Sequence, residues 1–170
     1  IKSEYDLVSQ ILNGETNEIV NEVQSYSEKE STKEPKSKPI RKVVDEFLDF
    51  RKGTIGEKLL SEYKVLTDDF IEIIGDIPVS SLSKGDIRKY IKTQLKLPIN
   101  RRKTPKYRDL SIDEILKLKD VNPQSRVNVN KFLTRLTTFL KFGVSQGYFK
   151  ENYIEGMKIP IPKSEERKRR

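Results

Sequence analysis

Residues 125–152 read SRVNVNKFLTRLTTFLKFGVSQGYFKEN. Within them Val129, Phe132, Leu133, Leu136, Phe139, Leu140 and Val144 recur at helical spacing, a single apolar stripe that predicts a long helix ending near Gly147. Away from the stripe, Asn128, Lys131, Arg135 and Thr138 follow one another at i, i+3, i+7 and i+10, with Asn130, Thr134 and Lys141 beside them. Residues 121–150 contain no Asp or Glu but five basic side chains: Arg126, Lys131, Arg135, Lys141 and Lys150. Exposed helices ordinarily mix signs, because an opposite pair at i, i+4 helps by a few tenths of a kcal/mol. A face without acids forgoes that support and builds a uniform positive field. Lys, Arg and Thr on such a face suit phosphate contacts, and Asn can read an adenine edge in a major groove.

Working back from this helix, residues 97–124 form a long connection with a predicted short helix over 111–119, opened by the capping box Ser111-x-x-Glu114. Before it, Ser83-x-x-Asp86 caps a helix with Ile87, Tyr90, Ile91 and Leu95 inward, closed by Pro98. The preceding helix is expected to start from a third capping box, Thr54-x-x-Glu57. Its Leu59, Tyr63, Leu66, Phe70 and Ile74 keep one face until Gly75, and Pro78 lies in the turn. The first helix of this set has Pro39 at its first turn, Val43, Val44, Phe47 and Leu48 inward, and a stop at Gly53. No segment alternates with period two, so the expected class is all-α with little or no sheet.

Residues 27–39 (SEKESTKEPKSKP) are nearly free of apolar side chains and carry two prolines, the composition of a linker. A boundary there gives three parts: an acidic N-terminal extension and linker over 1–38, a domain over 39–157, and a basic linker over 158–170. In the extension, Leu7, Val8, Ile11 and Leu12, then Ile19, Val20 and Val23, sit at helical spacing around Asn13-Gly14. The extension has 5 basic and 8 acidic residues and the remainder 29 and 18, so the formal charge of +8 is concentrated after the linker. That balance favours an anionic partner, nucleic acid first. A chain that begins at Ile1 and ends within a charge run reads as part of something longer. With no apolar run near ~20 residues and no charged-then-apolar leader, neither a membrane span nor secretion is expected.

Two further basic clusters reinforce the charge argument. Residues 96–110 hold six basic residues against Asp109, with Arg101, Arg102 and Lys103 contiguous and Tyr107 interleaved. The third helix carries Lys84, Arg88, Lys89 and Lys92, of which Arg88 and Lys92 share a face and repel unless an anion lies between them. Chemistry is conspicuous by what is missing. With no Cys and no His, thiolate catalysis, disulfides and imidazole chemistry are excluded. Asp68 and Asp69 are adjacent on a helix and diverge by about 100°, so they cannot chelate one metal together. They, and Asp45, Glu46 and Asp49, are read as solvated helix faces. Gly53-Thr54-Ile55-Gly56-Glu57-Lys58 lacks the glycine spacing and the strand of a phosphate loop. No catalysis, metal or cofactor is expected of this chain.

The 125–152 segment resembles the core-binding domain of phage-type integrases, the tyrosine recombinases. That family shows Thr-Val-Asn-Arg-x-Leu-x-x-Leu-x-x-Phe-Phe, a small residue, then Gly-Tyr-Ile and Asn-Pro. Here Val129-Asn130-Lys131 takes the Val-Asn-Arg place and Gly147-Tyr148-Phe149 the Gly-Tyr-Ile place. Asn152 is present, but Tyr153 replaces the proline. Tyr63 with Phe70, and Leu82-Ser83-Lys84-Gly85-Asp86-Ile87, resemble the family's second helix and the opening of its third. The likeness covers roughly residues 40–157 and rests mostly on apolar spacing. It implies a four-helix, SAM-like bundle, here with an extra short helix before the last, forming half of a clamp on double-stranded DNA at a recombination core site.

The second and fourth helices would face the duplex, which makes Lys58 and Lys64 candidates on the second. On the fourth, Asn130 and Lys131 map onto the family's polar pair, and the helical wheel adds Asn128, Arg135, Lys141 and Arg126. Arg88, Lys92, Arg101, Arg102 and Lys103 complete the candidate DNA-binding set. The family's Arg, Lys, His-x-x-Arg and Tyr lie in a following catalytic domain, absent here, so the parent is expected to be a bacterial or phage-encoded, cytoplasmic DNA-integrating recombinase that acts with other protomers. The rival readings are a helical protein-interaction module with a basic face and a stand-alone DNA-binding accessory protein.

Overall fold

In a computed structural model of the chain, residues 37–163 are described. The expected helices around Leu7–Leu12 and Ile19–Val23, and residues 164–170 of the basic run, lie outside these residues. The described part has five α-helices: α1 Ile40–Arg51, α2 Glu57–Ile74, α3 Lys84–Gln94, α4 Ile112–Lys117 and α5 Arg126–Ser145, with a 3₁₀ turn at Val79–Ser81 between α2 and α3. Among the described residues there is no strand, only isolated antiparallel bridges at Pro39–Pro78 and Pro98–Pro123. The class is all-α.

Helix α2 is central, packing against α1, α3 and α5, while α1 also packs on α5. Phe47 of α1 is the joint: its ring lies 5.2 Å from Tyr63 of α2, edge-on, and 5.5 Å from both Phe139 and Phe142 of α5. Phe70 and Tyr90, 5.3 Å apart and edge-on, tie α2 to α3. Such pairs add about 0.5–1.5 kcal/mol each beyond the area they bury. Val129, Leu133, Leu136, Phe139 and Leu140 form the buried side of α5, as their spacing predicts. Phe132 is half-buried, and Val144, expected in the stripe, is 36% exposed near the end of the helix, where the stripe has rotated off the core.

Two of the three expected capping boxes form. Ser83 and Asp86 exchange hydrogen bonds at the head of α3, and Ser111 and Glu114 do so at the head of α4. The short helix stops at Lys117 rather than Lys119. The Thr54–Glu57 box does not form. The Thr54 hydroxyl instead donates to the Arg51 carbonyl (2.8 Å), satisfying the end of α1, and α2 begins at Glu57 after an extended Gly56. A glutamate at the first helical position cannot reach back as one at the third does, but its charge still complements the amino end of the helix dipole.

The chain reverses after α5 at Gly147, whose φ of 75° is in the left-handed region that glycine tolerates. The amides of Tyr148 and Phe149 then both donate to the Gly143 carbonyl, at 2.8 and 3.2 Å. This folds the Phe149 ring over Gly143 and edge-on to Phe139, 5.8 Å away. A Cβ on residue 143 would meet Phe149 Cδ2 at 2.1 Å.

Ahead of α1, Lys38 is already part of the folded body. It pairs with Glu46 (2.6 Å), donates to the Tyr148 hydroxyl (3.2 Å) and accepts from the Val79 amide (2.9 Å). Tyr148 in turn donates to Glu46 (2.6 Å), so Glu46 is not the purely solvated carboxylate its sequence context suggests.

Gly143→Ala should destabilise the chain by about 3 kcal/mol, the upper part of the overpacking range. Replacing Phe149 by Leu in the same background should recover part of that loss in a thermal melt. A second expectation concerns acid. The bonds from Lys38 and Tyr148 hold the Glu46 carboxyl below its ordinary range, and the Ser111 backbone and hydroxyl do the same for Glu114. The folded chain therefore binds these protons more weakly than the unfolded chain. Their contribution is complete above the ordinary carboxylate pKa and is lost as pH falls through the lowered folded values. Melts between about pH 5 and pH 3 should show stability falling with pH, with a shallower slope in E46Q/E114Q.

Candidate nucleic-acid interface

At about 100° per residue, the α5 side chains that point opposite the core are Lys131, Thr134, Thr138 and Lys141. Lys131, Thr134 and Lys141 are exposed and Thr138 half-exposed, and neither lysine has an ion-pair partner among the described residues. Their spacing of i, i+3, i+7 and i+10 is the outermost line of the helix. The threonine hydroxyls are already committed as donors, Thr134 to the Asn130 carbonyl at 3.0 Å and Thr138 to the Thr134 carbonyl at 3.5 Å. In that rotamer they accept but do not donate, which leaves the two lysines as this line's cationic groups.

The remaining candidates of α5 lie on its flanks and are occupied. On one flank Asn128 donates to the Gln124 side chain (2.7 Å), and Arg135 pairs with Glu62 of α2. On the other, both polar atoms of the Asn130 amide are used: Nδ2 donates to the Ile159 carbonyl (2.9 Å) and Oδ1 accepts from the Ile159 amide (3.0 Å). Arg126, one turn earlier on this flank, donates to the Pro160 carbonyl at 3.2 Å. The expectation that Asn130 presents its amide to a base edge is therefore corrected for this conformation: the amide pairs with the protein's own backbone. Residues 158–160, read from sequence as the start of a free linker, are likewise held against α5.

Sequence contiguity misplaces the 101–103 cluster too. Arg101 is buried, 8% exposed at its side chain, and bridges Asp69 and Glu72 of α2 at 2.6 Å each. It clamps the long connection to the bundle and offers nothing to an outside anion. Arg102 shares Asp69 (2.6 Å) but stays 42% exposed, and Lys103 is exposed without an ion-pair partner among the described residues. Tyr107 is buried in the core. Asp68 pairs with Arg41 of α1 while Asp69 faces the arginines, so the two do diverge, but they are structural partners rather than solvated groups. Lys58 and Lys64 are both exposed, yet six residues put them on different flanks of α2. Lys58 lies on the Glu62 side, toward α5, and Lys64 on the Asp68 side, toward α1.

Arg88 and Lys92 stand elsewhere. With Lys84 they line a groove of about 460 Å³ between α3 and residues 155–157, floored by Ile91 and Met157. Lys84 pairs with Glu151 across 3.3 Å. No group of three acidic, histidine or cysteine side chains gathers for a metal among the described residues, and no helix there is long and apolar enough to cross a membrane. Searches among protein-family models, curated proteins and solved structures return no match to this chain.

Arg101→Ala should cost about 3 kcal/mol, the low end for breaking a buried ion pair, because Asp69 keeps Arg102. Arg102→Ala, removing a half-exposed partner, should cost about 1 kcal/mol or less. Urea unfolding of the two variants checks the contrast.

Proposed function

We propose that residues 37–163 form a DNA-binding module of the tyrosine-recombinase core-binding kind, a SAM-like four-helix bundle with α4 as the extra short helix. The observation that carries this reading is the outward line of α5, where Lys131 and Lys141 stand exposed, with no ion-pair partner among the described residues, in a window of thirty residues without an acid. Ten residues of helix place the two about 15 Å apart along the axis. That separation suits phosphates on the two sides of a major groove about 12 Å wide. Lys58, on the flank of α2 toward α5, extends the same cationic surface. Contacts of this type position a duplex without reading its sequence. On this reading strand cleavage and joining belong to a separate catalytic domain, and this module clamps the substrate at the core site.

A second reading rests on the α3 groove. Lys84, Arg88 and Lys92 at i, i+4 and i+8 beside an apolar floor suit an acidic peptide with an aliphatic anchor, and the groove is too small for a duplex. Peptide binding abolished by R88E/K92E, with no duplex binding by the wild-type chain, would put this interaction-module reading first.

The test of the DNA reading is a salt titration of duplex binding by fluorescence anisotropy. Each lost phosphate contact lowers the log–log slope by about 0.9. K131Q/K141Q should therefore lower the slope by about 1.8 and leave the melt unchanged, since both side chains lie off the core. A double variant with the wild-type slope would remove α5 from the interface.

A further inference from the structure

The contact between α5 and the chain that follows it has a form worth a function of its own. Asn130 meets Ile159 through two reciprocal hydrogen bonds, the pairing that one strand makes with another, here made by a side chain. Arg126 holds the next carbonyl, that of Pro160. Because Ile159 sits at residue 130 and Pro160 at residue 126, the segment runs back along α5 toward its amino end. Pro160 and Pro162 have fixed φ and no amide hydrogen, and residues 157–162 carry no helix; only Lys163, after Pro162, is helical. Met157 and Ile159 are half-buried against the core and anchor it from beneath.

Once docked, the segment adds charge. Lys158 and Lys163 are exposed, have no ion-pair partner among the described residues, and have no acid between them. They lie on a strap held against one flank of the helix whose outer line carries Lys131.

We infer that residues 157–163 are a strap whose docking on α5 and the binding of a DNA backbone to α5 reinforce each other, with Asn130 the positioning residue that holds the strap in place. This rests on the DNA reading above and adds Lys158 and Lys163 to that site. Undocked, the two lysines move with a free chain and dilute their charge over a large volume. Docked, they join Lys131 in one fixed field. Linkage makes the effect mutual: whatever strap docking contributes to DNA affinity, DNA returns to strap docking. Asn130 then acts through the strap and touches no base.

The test uses the whole 170-residue chain and a duplex of about 20 base pairs. Its first readout is hydrogen exchange at the Ile159 amide, whose proton goes to Asn130 Oδ1. Exchange should slow when excess duplex is added, and it should be about tenfold faster in N130A, the equivalent of one lost hydrogen bond. The second readout is the salt slope of K158Q/K163Q in two backgrounds. With Asn130 present the slope should fall by about 1.8, and in N130A the same pair should change it much less. Equal changes in both backgrounds, or Ile159 exchange indifferent to duplex, would overturn the strap while leaving the K131Q/K141Q result to decide the DNA reading separately. A base-reading Asn130 would lower affinity in N130A and leave the Lys158 and Lys163 contributions intact. Failure of the wild-type chain to bind duplex would overturn both proposals. Should N130A melt early, the duplex-dependent exchange and the K158Q/K163Q slope in the wild-type background still decide the matter.

Discussion

The ring of Phe47 meets Tyr63, Phe139 and Phe142 at once, and this contact sets where α1, α2 and α5 lie. A chain with 35% charged and 34% hydrophobic residues has little apolar volume to spare. The buried aliphatic side chains fill most of the core, and the aromatic row is where three of its helices meet. Phe149, folded over Gly143, closes the same aromatic row from the far side. The outward line of α5 is fixed by its inward one, so the positions of Lys131 and Lys141 follow from that packing.

The same scarcity explains how the charges are spent. Much of the carboxylate set of α2 is used to hold other elements: Glu62 takes Arg135, Asp68 takes Arg41, and Asp69 with Glu72 takes Arg101. Each of these pairs ties α2 to another part of the chain across the rim of the core. The cations left over after these pairings are not spread evenly, and they include the outer line of α5 and the groove side of α3.

What was legible in the sequence was local. The helices after residue 39, the Ser83–Asp86 and Ser111–Glu114 boxes and the buried stripe of α5 from Val129 to Leu140 depend on residues three to seven apart, and they form, with α4 two residues shorter than read and Phe132 and Val144 off the buried face. Thr54-x-x-Glu57 fits the same pattern and fails because a nearer acceptor, the Arg51 carbonyl, takes the hydroxyl. The site was legible only in part. A helical wheel separates outside from inside, but it says nothing of what another segment lays over a flank. Asn130 is 29 residues from Ile159, Arg101 is 32 from Asp69, and Lys38 is 110 from Tyr148. Lys131 and Lys141 are exposed where the wheel puts them, because the angle alone determines that they face outward.

The two proline-faced bridges have a consequence for how this body meets other proteins. At Pro39–Pro78 the pairing is made by the amides of Ile40 and Val79, and each of these residues opens a helical turn. At Pro98–Pro123 the amide of Gln124 reaches the Leu97 carbonyl. Proline brings no amide hydrogen to a ladder, so neither bridge can grow into a ribbon. The described body consequently presents no strand edge on which a neighbouring chain could crystallise its own backbone, the usual seed of fibrous self-association. Association of this body with a neighbour must therefore proceed through side chains and helix faces, which can be reversed.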